Sequence, residues 1–283
     1  MRDRAQLIPA SPAMHAPAAL FSWRRVGAML LRHLYVLRRS WPRILELAYW
    51  PTVQLILWGF ITTFFRGHSS WVAQAAGVLI SAVLLWDVLF RSNLGVALSF
   101  LEEMWSRNLG HLFVSPLRPY ELVASIVIMG FVRATISVAP AALLALPKFD
   151  VWVFSLGPPL LAFFVNLIVM GWSVGLVSSG VVLRYGVGAE NICWLVIFLL
   201  APVSCVYYPV ETLPPWVQPI AWALPSAYVF EGMRAVLFQG VFRADLMLGA
   251  IAFNVLYLAL AVGFFLWICR VARIRGLLMR QGE

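Results

Sequence analysis

The segment LMLGAIAFNVLYLALAVGFFLWI, residues 246–268, runs for 23 residues without one charged side chain. As a helix it extends about 35 Å, enough to cross a hydrocarbon core of about 30 Å. It is apolar on every face, unlike the one-sided helix of a soluble domain. Five further blocks nearly as apolar precede it, at Leu47–Phe65, Val72–Phe90, Leu122–Leu146, Val153–Val182 and Ile192–Tyr207. Composition agrees: 62% of the 283 residues are hydrophobic and 12% are charged, against roughly 45–50% and 25% in soluble domains. The expected fold class is therefore all-α, a polytopic membrane protein with six transmembrane helices. Pro51, Pro140 and Pro202 fall inside three of the spans. Membrane helices tolerate proline where neighbours satisfy the freed backbone groups.

The distribution of basic residues orients the spans. With the N-terminus inside, sixteen arginines fall in cytosolic segments, and four basic residues, Arg66, Lys148, Arg234 and Arg243, fall outside. The positive-inside rule then places both termini in the cytosol. The net charge of +9 is accounted for by this clustering at span ends and by anionic lipid, so no nucleic-acid partner is expected. Residues 1–21 read as a disordered cytosolic tail and not as a secretory signal, because no continuous apolar core follows a basic start. Residues 276–283 read as a second cytosolic tail, which leaves 44–275 as the six-span membrane domain. Cys193, Cys205 and Cys269 lie in apolar stretches without metal spacing.

Three segments read as helical without crossing. In 22–43, Trp23, Val26, Leu30, Leu34, Leu37 and Trp41 recur at steps of three and four, with Arg24, Arg25, Arg32 and Arg39 on the opposite side. That pattern is an amphipathic helix on the inner leaflet, whose polar face is available to a cytosolic partner. Phe100–Phe113 is a second amphipathic helix, with Glu102, Glu103, Arg107 and His111 off its apolar face. Tyr208–Gly240 holds five prolines and two apolar pieces too short to cross, Trp216–Leu224 and Ala227–Phe238. A hairpin dipping in from the outer face fits this segment, and a flat external loop is its competitor.

Two stretches resemble the membrane subunits of type-2 ABC transporters, a family that includes drug, lipo-oligosaccharide and polysaccharide exporters. In LGHLFVSPLRPYELVAS, residues 109–125, the resemblance rests on Leu112, Ser115, Pro116, Leu117 and Glu121. The family commonly carries Gly-Thr-Leu-Glu where this chain has Arg107, Asn108, Leu109 and Gly110, and often Gly-Lys near Ala124 and Ser125. In YPVETLPPWVQPIAWALPSAYVFEGMRAVLFQG, residues 208–240, it rests on Tyr208, Pro209, Leu213, Pro214, Trp216, Leu224, Pro225, Tyr228, Glu231, Gly232 and Arg234. The resemblance implies six spans, an N-terminal interface helix, a cytosolic coupling helix after span two and re-entrant helices before span six. It also implies a dimer of such subunits, expected as a homodimer, on two ATP-binding subunits. ATP and Mg would then sit on the partner, with no cofactor or metal on this chain.

The absent motifs agree with a non-enzymatic role. A P-loop needs a glycine-rich turn and a lysine, and the one lysine, Lys148, stands in LPKFD. No zinc-site or nucleophile-elbow pattern is present. The candidate contact with the partner ATPase is Glu102, Glu103, Arg107 and His111 with Arg24, Arg25 and Arg32. The candidate external gate is Pro214, Trp216, Pro225, Tyr228, Glu231 and Arg234. Asp87, Arg91 and Arg133 are the ionisable residues expected within spans, and such residues mark function by default. Asp87 either pairs with Arg91, one turn away, or receives Arg133 from span three. Together these readings imply an exporter of amphipathic or lipid-like substrates in the bacterial cytoplasmic membrane. A self-sufficient secondary transporter or channel is the alternative. It needs intramembrane acids, of which Asp87 is the single example well inside a span, and often internal repeats. A lipid-modifying membrane enzyme is a third class, and it needs a polar cluster that the sequence does not show.

Overall fold

A computed structural model describes residues 21–66, 70–149 and 157–276. Ten α-helices follow in order: α1 (Trp23–Arg39), α2 (Trp41–Arg66), α3 (Ser70–Trp105), α4 (Leu109–Val114), α5 (Pro119–Phe149), α6 (Pro158–Tyr185), α7 (Ile192–Val203), α8 (Gln218–Trp222), α9 (Pro225–Gln239) and α10 (Ala244–Ile274). The described residues contain no strand, so the all-α expectation holds. The N-terminal tail up to residue 20, the first residues of the expected fourth span (153–156) and the C-terminal tail from 277 lie outside the described residues.

Five helices, α2, α3, α5, α6 and α10, are long and apolar enough to cross a membrane. The expected fifth span, Ile192–Tyr207, is shorter than anticipated. Helix α7 stops at Val203 after 12 residues, about 18 Å of rise. Pro202 removes a donor from its last turn, and Cys205 then takes a left-handed conformation (φ 54°) that ends the helix.

Helix α3 departs from expectation in the other direction. The expected span ended at Phe90, with a separate amphipathic helix over Phe100–Phe113. Instead α3 runs unbroken for 36 residues to Trp105, and only the six-residue α4 remains of the separate helix. Packing decides this: Ser92–Ala97 and Ser99–Met104, Glu102 excepted, are buried against neighbouring helices, so the polar letters that look like a loop line the interior. Asp87 and Arg91 consequently lie at the middle of α3 and not at its end.

Glycines set how closely α3 is approached. A Cβ built on Gly95 would stand 2.8 Å from the Cα and carbonyl oxygen of Gly130 on α5. On α6, a Cβ at Gly171 would meet Ser92 Cβ at 2.6 Å and Leu89 O at 2.8 Å, and one at Gly175 would meet Asn93 O at 2.7 Å. Gly171 and Gly175 form the small-xxx-small spacing by which membrane helices bring backbones together. Two apolar layers stack along α3, one around Ile80–Leu89 with Phe163 and Phe230, the other around Val96–Met104 with Leu109, Ile126 and Phe265. Between them lies a polar belt in which Ser92 donates to Ile168 O at 2.9 Å and Asn93 donates to Cys193 O at 3.1 Å. Asn254 of α10 donates to Asn166 of α6 at 2.8 Å, a further buried polar tie. Pro51 leaves the carbonyl of Leu47 without its helical donor, and the hydroxyl of Ser137 on α5 supplies the hydrogen bond. Cys193, Cys205 and Cys269 are buried thiols.

Helix α1 is amphipathic, but the face it buries is Val26, Met29, His33 and Leu37. The expected stripe is rotated: Trp23 and Trp41 are 70% and 71% exposed. The helix turns toward α3 and α5 because its arginines are drawn to carboxylates there, and the indoles are left facing outward, where the interface favours them.

The glycine seam yields a paired prediction. Gly171→Ala should lower the unfolding free energy in mixed micelles by about 1–3 kcal/mol, the usual cost of overpacking. Gly27→Ala on α1, where an added Cβ meets nothing within 4 Å, should raise it by about 0.5–1 kcal/mol through backbone entropy.

Candidate functional site

The acidic residues at the Trp105 end of α3 and the start of α5 fasten α1 and α2 to the bundle. Glu121, fully buried in the first turn of α5, accepts from Arg25 Nε at 2.7 Å and from the Ser22 amide at 2.8 Å. It also accepts from the Arg118 amide at 3.0 Å, the reach-back of an N3 glutamate to the residue before its helix. Hydrogen bonding to Glu121 raises the pKa of Arg25 further above its ordinary value, so this pair stays ionised at any workable pH. Glu103, 2% exposed, lies 3.1 Å from Arg32 Nη2 and 3.6 Å from His33 Nε2, and accepts from Asn108 Nδ2 at 2.7 Å. Glu102 is shared by Arg43 of α2 at 2.9 Å and Arg133 of α5 at 2.6 Å.

These contacts correct two expectations. Arg133 does not reach Asp87; it pairs with Glu102, because the unbroken α3 carries that carboxylate alongside α5. Glu102, Glu103, Arg25 and Arg32, expected to face a partner, are engaged in ion pairs within the chain, the carboxylates turned inward and the two arginines partly exposed. Glu103 is too buried to meet another protein. Of the seven residues in that expected contact, Arg24, Arg107 and His111 are exposed. Arg107 and His111 flank the start of α4, whose end, Val114, is 89% exposed. Arg107 has φ 53°, the left-handed conformation that glycine adopts freely and other L-residues resist. It breaks α3 from α4 at the position where the family pattern often carries glycine.

On the far side, α8 and α9 form a helix pair broken at Leu224, which is extended before Pro225 (φ −98°, ψ 127°). Arg234 pairs with Glu231 at 2.9 Å and donates to Cys205 O at 2.9 Å, while Glu231 accepts from the Val210 amide at 2.8 Å. The pair thus clasps the segment leaving α7. Tyr228 stacks edge-on with Trp222 at 5.0 Å and lies against Gly249, and Tyr257 of α10 donates to Ala223 O at 2.8 Å. Pro214 and Trp216 are exposed; Pro225 is buried.

A cavity of about 690 Å³ opens between α2, α3 and α7. Its walls combine aromatic side chains, among them Trp50, Trp86, Phe90, Trp194, Phe198 and Tyr207, with charged ones, Asp87 and Arg91 and the Arg43–Glu102–Arg133 group. Sequence reading singled out Asp87 and Arg91, and Glu121 as part of the resemblance but without its role, and did not find Arg43 or the cavity aromatics. For Glu121 a local signal existed, a glutamate three residues after the start of a helix headed by proline. The cavity wall is assembled from α2, α3 and α7 with single residues of α1 and α5, and has no local signature.

The family model described as ABC-2 type transporter matches residues 27–238. The chain belongs to this family. Its domain is the transmembrane component of an ABC transporter and not the catalytic one. The match takes in most of α1, the clamp carboxylates Glu102, Glu103 and Glu121, the cavity and all but the last residue of the α8–α9 pair. Among curated proteins no relative matches. No group of three or more metal-ligating side chains occurs among the described residues.

The clamp is tested by a double-mutant cycle. Glu102→Gln should lower stability by about 3 kcal/mol, the scale of a broken buried pair. With Arg133→Gln present, the loss should fall short of the sum of the single losses by at least about 1 kcal/mol. Asp87→Asn combined with Arg133→Gln should be additive. The measurement is unfolding free energy in mixed micelles.

Proposed function

We propose that the chain is the membrane subunit of an ATP-driven exporter in the bacterial cytoplasmic membrane, with both termini cytosolic. Two separate ATP-binding subunits supply ATP hydrolysis and hold its Mg. A second copy of this chain completes the complex as a homodimer. In this reading α7 and the segment after it make the fifth of six passages, and the α8–α9 pair enters the outer leaflet as a gate braced by Glu231 and Arg234. The cargo is an amphipathic or lipid-like molecule, such as a drug, a lipid or a lipid-linked saccharide.

The observation that carries the proposal is the single rigid helix α3. Its last turns hold Glu102 and Glu103, which grip α1, α2 and α5, and the α4 tip follows directly. The middle of the same helix forms the wall of the cavity at Asp87 and Arg91. Force applied at the exposed tip around Arg107, His111 and Val114 passes the turn at Ser106–Asn108, which Asn108 ties to Glu103, and then runs to the cavity along the unbroken α3 and its buried ion pairs. Arg24 on α1 is a further exposed basic residue available to a partner.

The isolated, contaminant-free chain should show no ATP hydrolysis, whereas the complex purified from its native membrane should contain a P-loop ATPase and move lipid-like cargo only with ATP. Hydrolysis by the chain alone, or ATP-independent movement, would overturn the reading. Arg107→Gly gives a sharper readout. It should raise the stability of the lone chain by up to about 1 kcal/mol by relieving the left-handed strain, while lowering coupled ATPase activity several-fold by removing a contact charge.

A further inference from the structure

Asp87 and Arg91 stand four residues apart on one face of α3, with the acid N-terminal to the base, the favourable order for a helical ion pair. They do not form one. Asp87 and Arg91 are 5% and 9% exposed, and neither makes a hydrogen bond or an ion pair among the described residues. Asp87 Oδ2 and Arg91 Nε are buried without a partner. Both side chains line the aromatic cavity. Two opposite charges held apart in a mostly apolar site are unfavourable unless something else satisfies them.

The lining identifies what that is. Its ionisable groups are Arg43, Arg91 and Arg133 against Glu46, Asp87 and Glu102, so their formal charges cancel. Glu102 is taken up by Arg43 and Arg133. A head of net charge would leave one of the two central groups repelled, and an uncharged head would offer Asp87 Oδ2 and Arg91 Nε no charged partner in place of the hydrogen bonds they lack. A head with an acidic and an amino group a few ångströms apart answers both, since side chains one helical turn apart are spaced similarly. Indoles nearby, such as Trp50, Trp86 and Trp194, favour both an amine, through cation–π attraction, and apolar chains.

We propose that this cavity binds an amphiphile with a zwitterionic head, its acidic group on Arg91, its amine against Asp87 and its chains along the indoles. The inference rests on the exporter reading only for the question of whether the amphiphile is cargo. The same head chemistry belongs to a resident bilayer lipid and to a transported molecule.

The test is calorimetric titration of the full chain, in neutral maltoside micelles, with dihexanoyl-phosphatidylethanolamine and with dihexanoyl-phosphatidylglycerol. Saturable binding of the zwitterionic lipid at one per chain is expected, at least tenfold tighter than the anionic one. Asp87→Asn and Arg91→Gln should each weaken it tenfold or more and should not add in the double variant, because one head bridges both. Equal affinity for the two lipids, or unchanged binding in either variant, overturns the proposal. Should the variants fail to fold, a phosphatidylethanolamine with a photoreactive group near its head replaces them. Crosslinks to peptides holding Trp50 or Trp86 uphold the site, and crosslinks confined to other helices overturn it. In vesicles carrying the partner ATPase, ATP-driven movement of the bound lipid marks cargo, and retention marks a resident lipid; either outcome upholds the site. Loss of ATP coupling removes the exporter reading but leaves lipid selectivity measurable, and loss of selectivity leaves ATP coupling intact.

Discussion

Everything at the α4 end of the bundle depends on three carboxylates that have left water. Glu102, Glu103 and Glu121 are buried or nearly so, and each is answered by an arginine from the N-terminal helices, with Arg133 added from α5. Burying a carboxylate costs several kcal/mol, and the cost is recovered only when its lone pairs are filled by well-placed donors. Here they are filled by guanidinium groups, backbone amides and an asparagine. The arrangement adds specificity more than raw stability, because an α1 docked in another register would strand at least one charge.

This constraint explains why α1 buries Val26, Met29, His33 and Leu37 and leaves Trp23 outside. Apolar periodicity alone allows several rotations of an amphipathic helix at a membrane surface. Arg25 must reach Glu121 and Arg32 must reach Glu103, and those two demands leave one rotation. The indoles that periodicity assigned to the buried stripe are then free to lie against lipid headgroups, where they cost nothing to expose.

The spans were largely legible because hydrocarbon imposes a length and a composition that soluble cores do not. What could not be read was where polarity means an end and where it means an interior. Arg91, Ser92 and Asn93 look like the edge of a membrane, yet they form the belt between the two apolar layers of α3. The choice between Asp87 and Glu102 as the partner of Arg133 turned on that same continuation. The Gly171–Gly175 spacing was present in the sequence and went unread, since its meaning lies in Ser92 and Asn93, about eighty residues away in the chain. The break at Leu224–Pro225 was legible, because the restriction that proline places on its predecessor is local. The tie between Glu231 and Arg234 was half legible: their spacing put them on one face, but nothing local placed Cys205 and Val210 within their reach.

The glycine contacts also act as a register lock. An added Cβ at Gly95, Gly171 or Gly175 would land 2.6–2.8 Å from the backbone or the β-carbons of the helix opposite. Those atoms are fixed to their helices and cannot step aside by a change of rotamer. A slide of α5 or α6 along α3 would have to carry these small residues out from beneath the only neighbours they fit and bring bulkier ones in, so each of the two helices has one longitudinal position against α3 that its sequence permits.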